Sequence, residues 1–304
     1  MPLVRRFLRW TPMYTQLERR VGKVNTCILD LVDRKLAALK SRKDSGLVAS
    51  EQDTDWPDFM VEAADGDTEY TREDLRCDTV IFFVAGRDTT SNALTAAIYF
   101  LGQHPAVQEH ARAEVLAILD NVHPTCSASE FPYLSNGQAS HLPDLAAKIK
   151  ETLRLYPSIP TIPQRVTITT ATLHDGTSLP PGMRVVTSAM ALHRSPELWG
   201  DDADLFRTER FMDVDSDKMH AGAHGFKLVP FGAGQRVCLG QSFSIMEQRV
   251  VLVMLLARYE WATAGDAEAM RGTPRTKAMR GTPRSTRGGL MQMVGVEAVF
   301  KRRE

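Results

Sequence analysis

The chain has 304 residues, 43% of them hydrophobic, and its 37 Lys and Arg are balanced by 37 Asp and Glu. A chain of this length can bury a large core, and a formal charge of zero leaves no electrostatic footprint for nucleic acid. The four cysteines, Cys27, Cys77, Cys126 and Cys238, show neither CxxC spacing nor a secretory context, which argues against zinc and against a disulfide framework.

Arg5, Arg6 and Arg9 stand near the start, but neither an apolar core nor a small-residue cleavage site follows them. Val21, Val24, Ile28, Leu31, Val32 and Leu36 recur at helical spacing and predict one basic amphipathic helix. Such a helix packs on a core or lies on a membrane surface. The linker from Asp44 to Glu69 is acidic and polar, with Trp56, Phe59 and Met60 as its strong apolar anchors. A long helix is expected from about residue 72, carrying a Pro-free apolar stretch from Val80 to Leu101 and, inside it, Ala85-Gly86-Arg87-Asp88-Thr89-Thr90. Nowhere does an apolar run reach the roughly 18 consecutive residues of a membrane span.

A further helix ends near Asp120, and residues 121–143, rich in Ser, Asn, His, Pro and Gly, read as an inserted loop because connections that long are uncommon. Glu151 and Arg154 then stand one turn apart on one helical face. An isolated pair of this kind is usually a surface ion pair worth little, but here Leu155-Tyr156-Pro157-Ser158-Ile159-Pro160 ends the helix at once. Arg165 reads as a residue at a strand edge. Short strands are predicted at Val166–Ile168, Met183–Ser188 and Leu290–Val299, with Leu179-Pro180-Pro181-Gly182 as a tight turn. His193 and Arg194 follow, and a lone histidine there is read as a structural residue. Then come the phrases Trp199-Gly200-Asp201-Asp202-Ala203-Asp204-Leu205-Phe206 and Thr208-Glu209-Arg210-Phe211.

The most informative segment is Phe231-Gly232-Ala233-Gly234-Gln235-Arg236-Val237-Cys238-Leu239-Gly240. It puts one thiol in a glycine-rich loop, two positions after an arginine and just before a helix patterned by Phe243, Ile245, Met246, Val250, Val253, Met254 and Leu256. Thiolate is the ligating form of cysteine, and a cation or a helix N-terminus nearby favours it. Gly232, Gly234 and Gly240 permit φ > 0 and let backbone approach a flat ligand. The loop therefore suits a large planar cofactor, the alternative being an ordinary turn around a buried cysteine. Near the end, Ala269-Met270-Arg271-Gly272-Thr273-Pro274-Arg275 recurs nine residues later as Ala278 to Arg284, so 265–289 reads as an exposed duplicated loop.

Taken in order, these motifs resemble those of the cytochrome P-450 family, the haem-thiolate monooxygenases. The resemblance implies a mainly α architecture with minor β-sheets, the cytochrome P-450 fold, as a single domain over residues 1–304 that lacks the family's N-terminal portion and its membrane anchor. It implies haem b as cofactor, with Cys238 as the axial ligand of the iron, Arg236 and Arg165 as propionate partners, and Phe231, Gly232 and Gly240 around the ring. Arg165 comes one residue later than is usual. Gly86 would leave room above the iron, and Asp88 and Thr89 occupy the acid and alcohol positions of a proton relay, which is general acid work. Glu151, Arg154 and Arg210 correspond to a charged structural network, with Arg154 shared by Glu151 and stacked near Arg210. Thr208 stands where a proline is usual and is expected to loosen its turn.

The activity so implied is insertion of one oxygen atom from O2 into a small apolar substrate, with electrons from NADPH through a cytochrome P-450 reductase. Residues Ser158 to Pro163 are the visible candidates for the substrate pocket. The phrases Ala85–Thr90 and Trp199–Phe206 look most like the microsomal branch that oxidises alkanes and fatty acids, whose full-length members are anchored in the endoplasmic reticulum membrane. Two other classes stand beside this reading. One is a haem-thiolate peroxygenase or isomerase, against which the acid–alcohol pair counts. The other is a truncated, catalytically inactive haem-binding remnant.

Overall fold

Prolines and capping residues set where the helices begin. A computed structural model describes residues 11–45, 56–64, 71–122, 142–212, 226–264 and 290–303, the last stretch without 292, 294 and 295. The duplicated loop at 265–289, most of the predicted insertion at 121–143, Arg5, Arg6, Arg9, Cys126 and linker residues 46–55 and 65–69 lie outside the described residues. The chain divides into two compact units, Met1–Gly86 and Arg87–Glu304.

In the first unit, Pro12 opens helix α1, Pro12–Ser45, and the Thr11 hydroxyl accepts the Tyr14 N–H at 3.3 Å. Arg42 and Lys43 occupy its last turn, where cations meet the negative end of the helix dipole. A short helix α2, Trp56–Ala64, follows. Helix α3, Arg72–Gln103, starts at a reciprocal cap: the Asp74 carboxylate accepts the Thr71 N–H at 2.8 Å, and the Thr71 hydroxyl accepts the Asp74 N–H at 3.2 Å. Ile28 and Val32 of α1 pack with Val61 and Leu75, flanked by Leu36, Leu39, Met60 and Val80. The predicted apolar face is thus buried over part of its length only, because Val21 and Val24 remain about half exposed. The partners explain this. The start of α3 meets α1 at Asp33, which pairs with Arg72, and at Asn25, which accepts from Arg76 at 2.9 Å. Buried Asp58 of α2 gathers Lys35 at 2.9 Å and Arg42 at 3.4 Å farther along.

In the second unit, the rest of α3 joins α4, Pro105–Val122, α5, Pro143–Leu155, and, beyond the sheets, α8, Gln241–Arg258. Ala93, Ala97 and Leu101 of α3, Val115 of α4, Leu145, Ile149 and Leu153 of α5, and Leu252, Val253 and Leu256 of α8 form the largest apolar cluster. Every residue of α5 from Leu145 to Leu155 is buried, so this helix is the centre of the unit. Its first N–H groups have no capping side chain of their own. Glu114 of α4 supplies one, accepting from Asp144 N–H at 2.8 Å and Leu145 N–H at 2.9 Å.

The sheets are small and antiparallel. Strand β1, Thr161–Val166, pairs with β4, Arg184–Ser188, and β2, Ala171–Thr172, pairs with β3, Ser178–Leu179. Two short helices follow β4, α6 at Ala189–Leu192 and α7 at Pro196–Trp199. The register of β1 shifts between Ile162 and Arg165, where Pro163 has no N–H to offer a ladder. Pairing with β4 places the strand earlier than the predicted Val166–Ile168, and Ile168 is 91% exposed. Gly182 at φ 82° and a Met183 N–H to Pro180 O bond of 3.4 Å make the predicted turn a type II turn. Strand β5, Tyr259–Ala264, pairs along its whole length with β6, Glu297–Arg302. The predicted strand from Leu290 is therefore corrected to Glu297–Arg302, since Met291 and Met293 are buried with Tyr99, Phe100 and Tyr156 instead.

Candidate functional site: a cysteine loop, a relay turn and a buried charge network

The cysteine loop is shaped by its own backbone. Gly232 N–H donates to Val229 O at 3.0 Å, with Gly232 at φ 75°, and Gly234 at φ 70° opens a 3-10 turn through Arg236. Side chains at these two angles would be strained. Cys238 N–H then donates back to Phe231 O at 2.9 Å, closing the loop, and Gly240 stands at the N-cap of α8. The result presents the Cys238 thiol as an exposed group at the head of α8. The residues around it are exposed and apolar: Val237 at 43%, Leu239 at 75% and Phe243 at 72%. Arg236 is exposed on the same loop.

An iron porphyrin asks for one axial donor, backbone close to a flat ring, apolar surface to cover and cations for its carboxylates. This loop fits on each count. Cys238 could hold the iron, the loop and α8 supply the apolar surface, a Cβ built at Gly234 or Gly240 would meet nothing within 4 Å, and Arg236 is the nearby cation in sequence. Among the described residues no cluster of three or more His, Cys, Asp or Glu could hold a metal ion. Arg165 is also exposed, on β1, where its Nη1 donates to the Pro163 carbonyl at 3.0 Å. Among the described residues its hydrogen bonds go to the Pro163 and Gln164 carbonyls, not to the cysteine loop.

The predicted acid–alcohol pair lies on α3. Asp88 is exposed and Thr89 half-buried, while Thr90 is buried. Thr90 Oγ1 meets Ser244 Oγ of α8 at 3.0 Å, which ties this turn to the helix headed by Cys238. On another side, Ser158 Oγ donates to the Thr89 carbonyl at 2.7 Å, and the Ser158 carbonyl accepts the Met291 N–H at 2.9 Å. Ser158 is thus a buried brace rather than an open pocket residue. Gly86 lies on the same helix in the first unit, where an added Cβ would meet nothing within 4 Å.

Glu151, Arg154 and Arg210 do come together. Glu151 and Arg154 are fully buried and joined in a fork, with Nε to Oε2 at 2.6 Å and Nη2 to Oε1 at 2.7 Å. Arg154 also donates to three backbone carbonyls, His193 at 2.8 Å, Ala203 at 2.6 Å and Leu205 at 3.0 Å. Arg210 approaches Glu151 at 3.7 Å but makes its closer ion pair with Asp202 at 2.6 Å, and it donates to the carbonyls of Trp199 and Asp202. Asp202 was not among the expected partners. The ring stacked on Arg154 belongs to Trp199, 5.1 Å from the guanidinium carbon, with Lys227 Nζ 4.8 Å from the same ring. Burial pushes the Glu151 carboxyl above its ordinary value, and Arg154, the Arg207 N–H and Arg210 pull it back down. Hydrogen bonds from Arg210 and Arg207 hold Asp202 well below the usual carboxylate range. Thr208, at the position where a proline was expected, is buried and begins a 3-10 helix, Thr208–Phe211.

His193 connects this network to the cysteine loop. Its ring is fully buried, and Nε2 accepts the Val229 N–H at 2.8 Å, which places the proton of the neutral ring on Nδ1. Burial pushes its pKa down to about 4. Val229 stands two residues before Phe231, so the histidine fixes the entry to the loop. Sequence reasoning missed this link, and likewise Asp202, Glu114, Thr90 and Ser244, because each acquires its partner only through packing.

The cytochrome P450 family model matches residues 2–284, and the chain belongs to that family. It is similar to cytochrome P450 734A2 of Oryza sativa subsp. japonica, with 35% identity over 63% of this chain and 32% of that protein. It is also similar to two Homo sapiens proteins, cytochrome P450 4Z1, at 32% identity over 74% of this chain and 43% of that one, and cytochrome P450 4B1, at 30% over 84% and 48%. The chain thus spans between about a third and a half of the length of the curated relatives it matches. Family membership implies haem iron, and the mainly helical fold with small antiparallel sheets agrees with it. Among the described residues no helix is long and apolar enough to cross a membrane.

Proposed function

We propose that this chain carries the iron-binding part of a haem-thiolate monooxygenase that inserts one oxygen atom from O2 into an apolar organic substrate of the fatty-acid or alkane class. The observation that carries this reading is the exposed Cys238 thiol, set by a glycine-shaped loop at the head of α8 among exposed apolar residues. When bound, the haem supplies the oxygen chemistry, which thiolate ligation favours. Cys238 would hold the iron, Arg236 and Arg165 would pair with the carboxylates of the ring, Phe231, Gly232 and Gly240 would lie against it, and Gly86 would leave room for oxygen. Asp88, exposed to solvent, takes up a proton, and the Thr89 hydroxyl passes it into the site. Electrons come from NADPH through a cytochrome P-450 reductase at the endoplasmic reticulum membrane. The apolar substrate class rests on the Ala85–Thr90 and Trp199–Phe206 phrases.

The test is the absorption spectrum of the chain purified with haem, reduced and exposed to carbon monoxide. A strongly red-shifted Soret band that disappears in Cys238→Ser supports thiolate ligation by this residue. A histidine-like band, or a band unchanged in the variant, overturns it.

A further inference from the structure

Two serines hold the relay turn from different elements. Ser158, just beyond α5, is 7% exposed and donates to the Thr89 carbonyl at 2.7 Å. Ser244, in the first turn of α8, is 9% exposed and shares a hydrogen bond with Thr90 Oγ1 at 3.0 Å. Fully buried Gln248, one turn further along α8, donates its Nε2 to the Ser244 carbonyl at 3.2 Å and to Ser244 Oγ at 3.3 Å. Neither contact is needed to build its own helix. Both join a residue of the Asp88–Thr90 turn to something fixed elsewhere: Ser158 to the end of α5, whose interior is the Glu151–Arg154 fork, and Ser244 to the helix that begins beside Cys238.

Direction matters here. A bond to a peptide carbonyl fixes the height and rotation of the helical turn, and therefore where the Thr89 hydroxyl stands. A bond between side chains on α3 and α8 fixes how far that turn lies from the start of α8. Geometric errors of about 1 Å at a reacting centre cost on the order of a hundredfold in rate, so a turn carrying a proton needs both constraints.

We propose that Ser158 and Ser244 are positioning residues, which together set the Thr89 relay turn of α3 against the cysteine loop. This rests on the monooxygenase reading. Neither serine touches the reacting atoms. Their removal degrades the use of electrons while leaving iron ligation intact.

The experiment uses the full chain reconstituted with haem and a redox partner, comparing Ser158→Ala, Ser244→Ala, Thr90→Val and Thr90→Ser. A single hydrogen bond is worth roughly a fewfold in an equilibrium, so each of the first three is expected to lower product formed per electron by about threefold. Released peroxide should rise, with KM and the thiolate Soret band unchanged. Thr90→Ser keeps the hydroxyl and restores the parent yield. Unchanged product per electron in both serine variants, or Thr90→Ser behaving like Thr90→Val, overturns the proposal. If the parent chain shows no thiolate band, the monooxygenase reading has failed instead. The contact is then read by a double-mutant cycle of Thr90→Val and Ser244→Ala on urea unfolding, where additive effects overturn the coupling and non-additive ones sustain it.

Discussion

The charge network and the cysteine loop are neighbours in sequence logic and opposites in physical state. Glu151 and Arg154 are fully buried and supplied with partners from this chain alone, five donor bonds counting the fork and the three carbonyls. The cysteine loop has its backbone in place, yet it leaves a thiol and three large apolar side chains exposed. Apolar surface gathered at one place marks a site that something covers. The first region is finished by folding, and on the proposed function the second is finished by binding. Damage to the first should therefore appear in stability, and damage to the second in ligation.

Arg154→Ala should produce the largest effect on folding, because it strands a buried carboxylate and three carbonyls. A loss of about 3–5 kcal/mol is expected, measured by urea denaturation, and Arg154→Lys should recover little of it because the planar fork is lost. A variant within about 1 kcal/mol of the parent would break the contrast. His193 comes next. Its pKa is pushed down from 6.5 to about 4 by burial, so the unfolded chain takes up the proton first. Its contribution is then complete above pH 6.5 and is lost as pH falls towards 4, by on the order of 2–3 kcal/mol. Urea midpoints at pH 7 and pH 4.5 should show this fall, and His193→Gln should flatten it.

Glu114→Ala removes the acceptor for two N–H groups at the start of α5 and should cost about 1–2 kcal/mol. Thermal unfolding checks this at pH 7, and Glu114→Gln should lose less because its amide oxygen can still accept. Smallest on this scale is Cys238→Ser, expected to change the unfolding free energy of the haem-free chain by less than about 0.5 kcal/mol while abolishing the thiolate band. If that substitution destabilised the chain as much as Arg154→Ala, the loop would be part of the core rather than a place for a ligand.

Features with a local cause were legible in the sequence. The long helix from about residue 72 was legible from its Pro-free apolar stretch, and the Glu151–Arg154 pair follows from helical spacing. The cysteine loop was legible because glycine, arginine and cysteine together leave few alternatives. Features set by distant partners were not. Strand β5 has its partner at Glu297–Arg302, far along the chain, and its own residues carry no turn signal of a hairpin. The start of β1 was hidden by Pro163, which reads as a breaker but here sits at a bulge. Asp202 and Ser244 look like ordinary surface residues until packing assigns Arg210 to one and Thr90 to the other.

Trp199 gives the network an optical gauge. Its buried ring lies within cation–π distance of both Arg154 and Lys227, so its emission depends in part on a guanidinium that stays there only while the fork is closed. The chain has four tryptophans, and a version keeping only Trp199 would report fluorescence from this one place. Loosening of the charged centre could then be followed in the near ultraviolet while the Soret band is followed in the visible. For a haem-loaded chain, the order in which framework and iron site are lost becomes a matter of watching two colours in one cuvette.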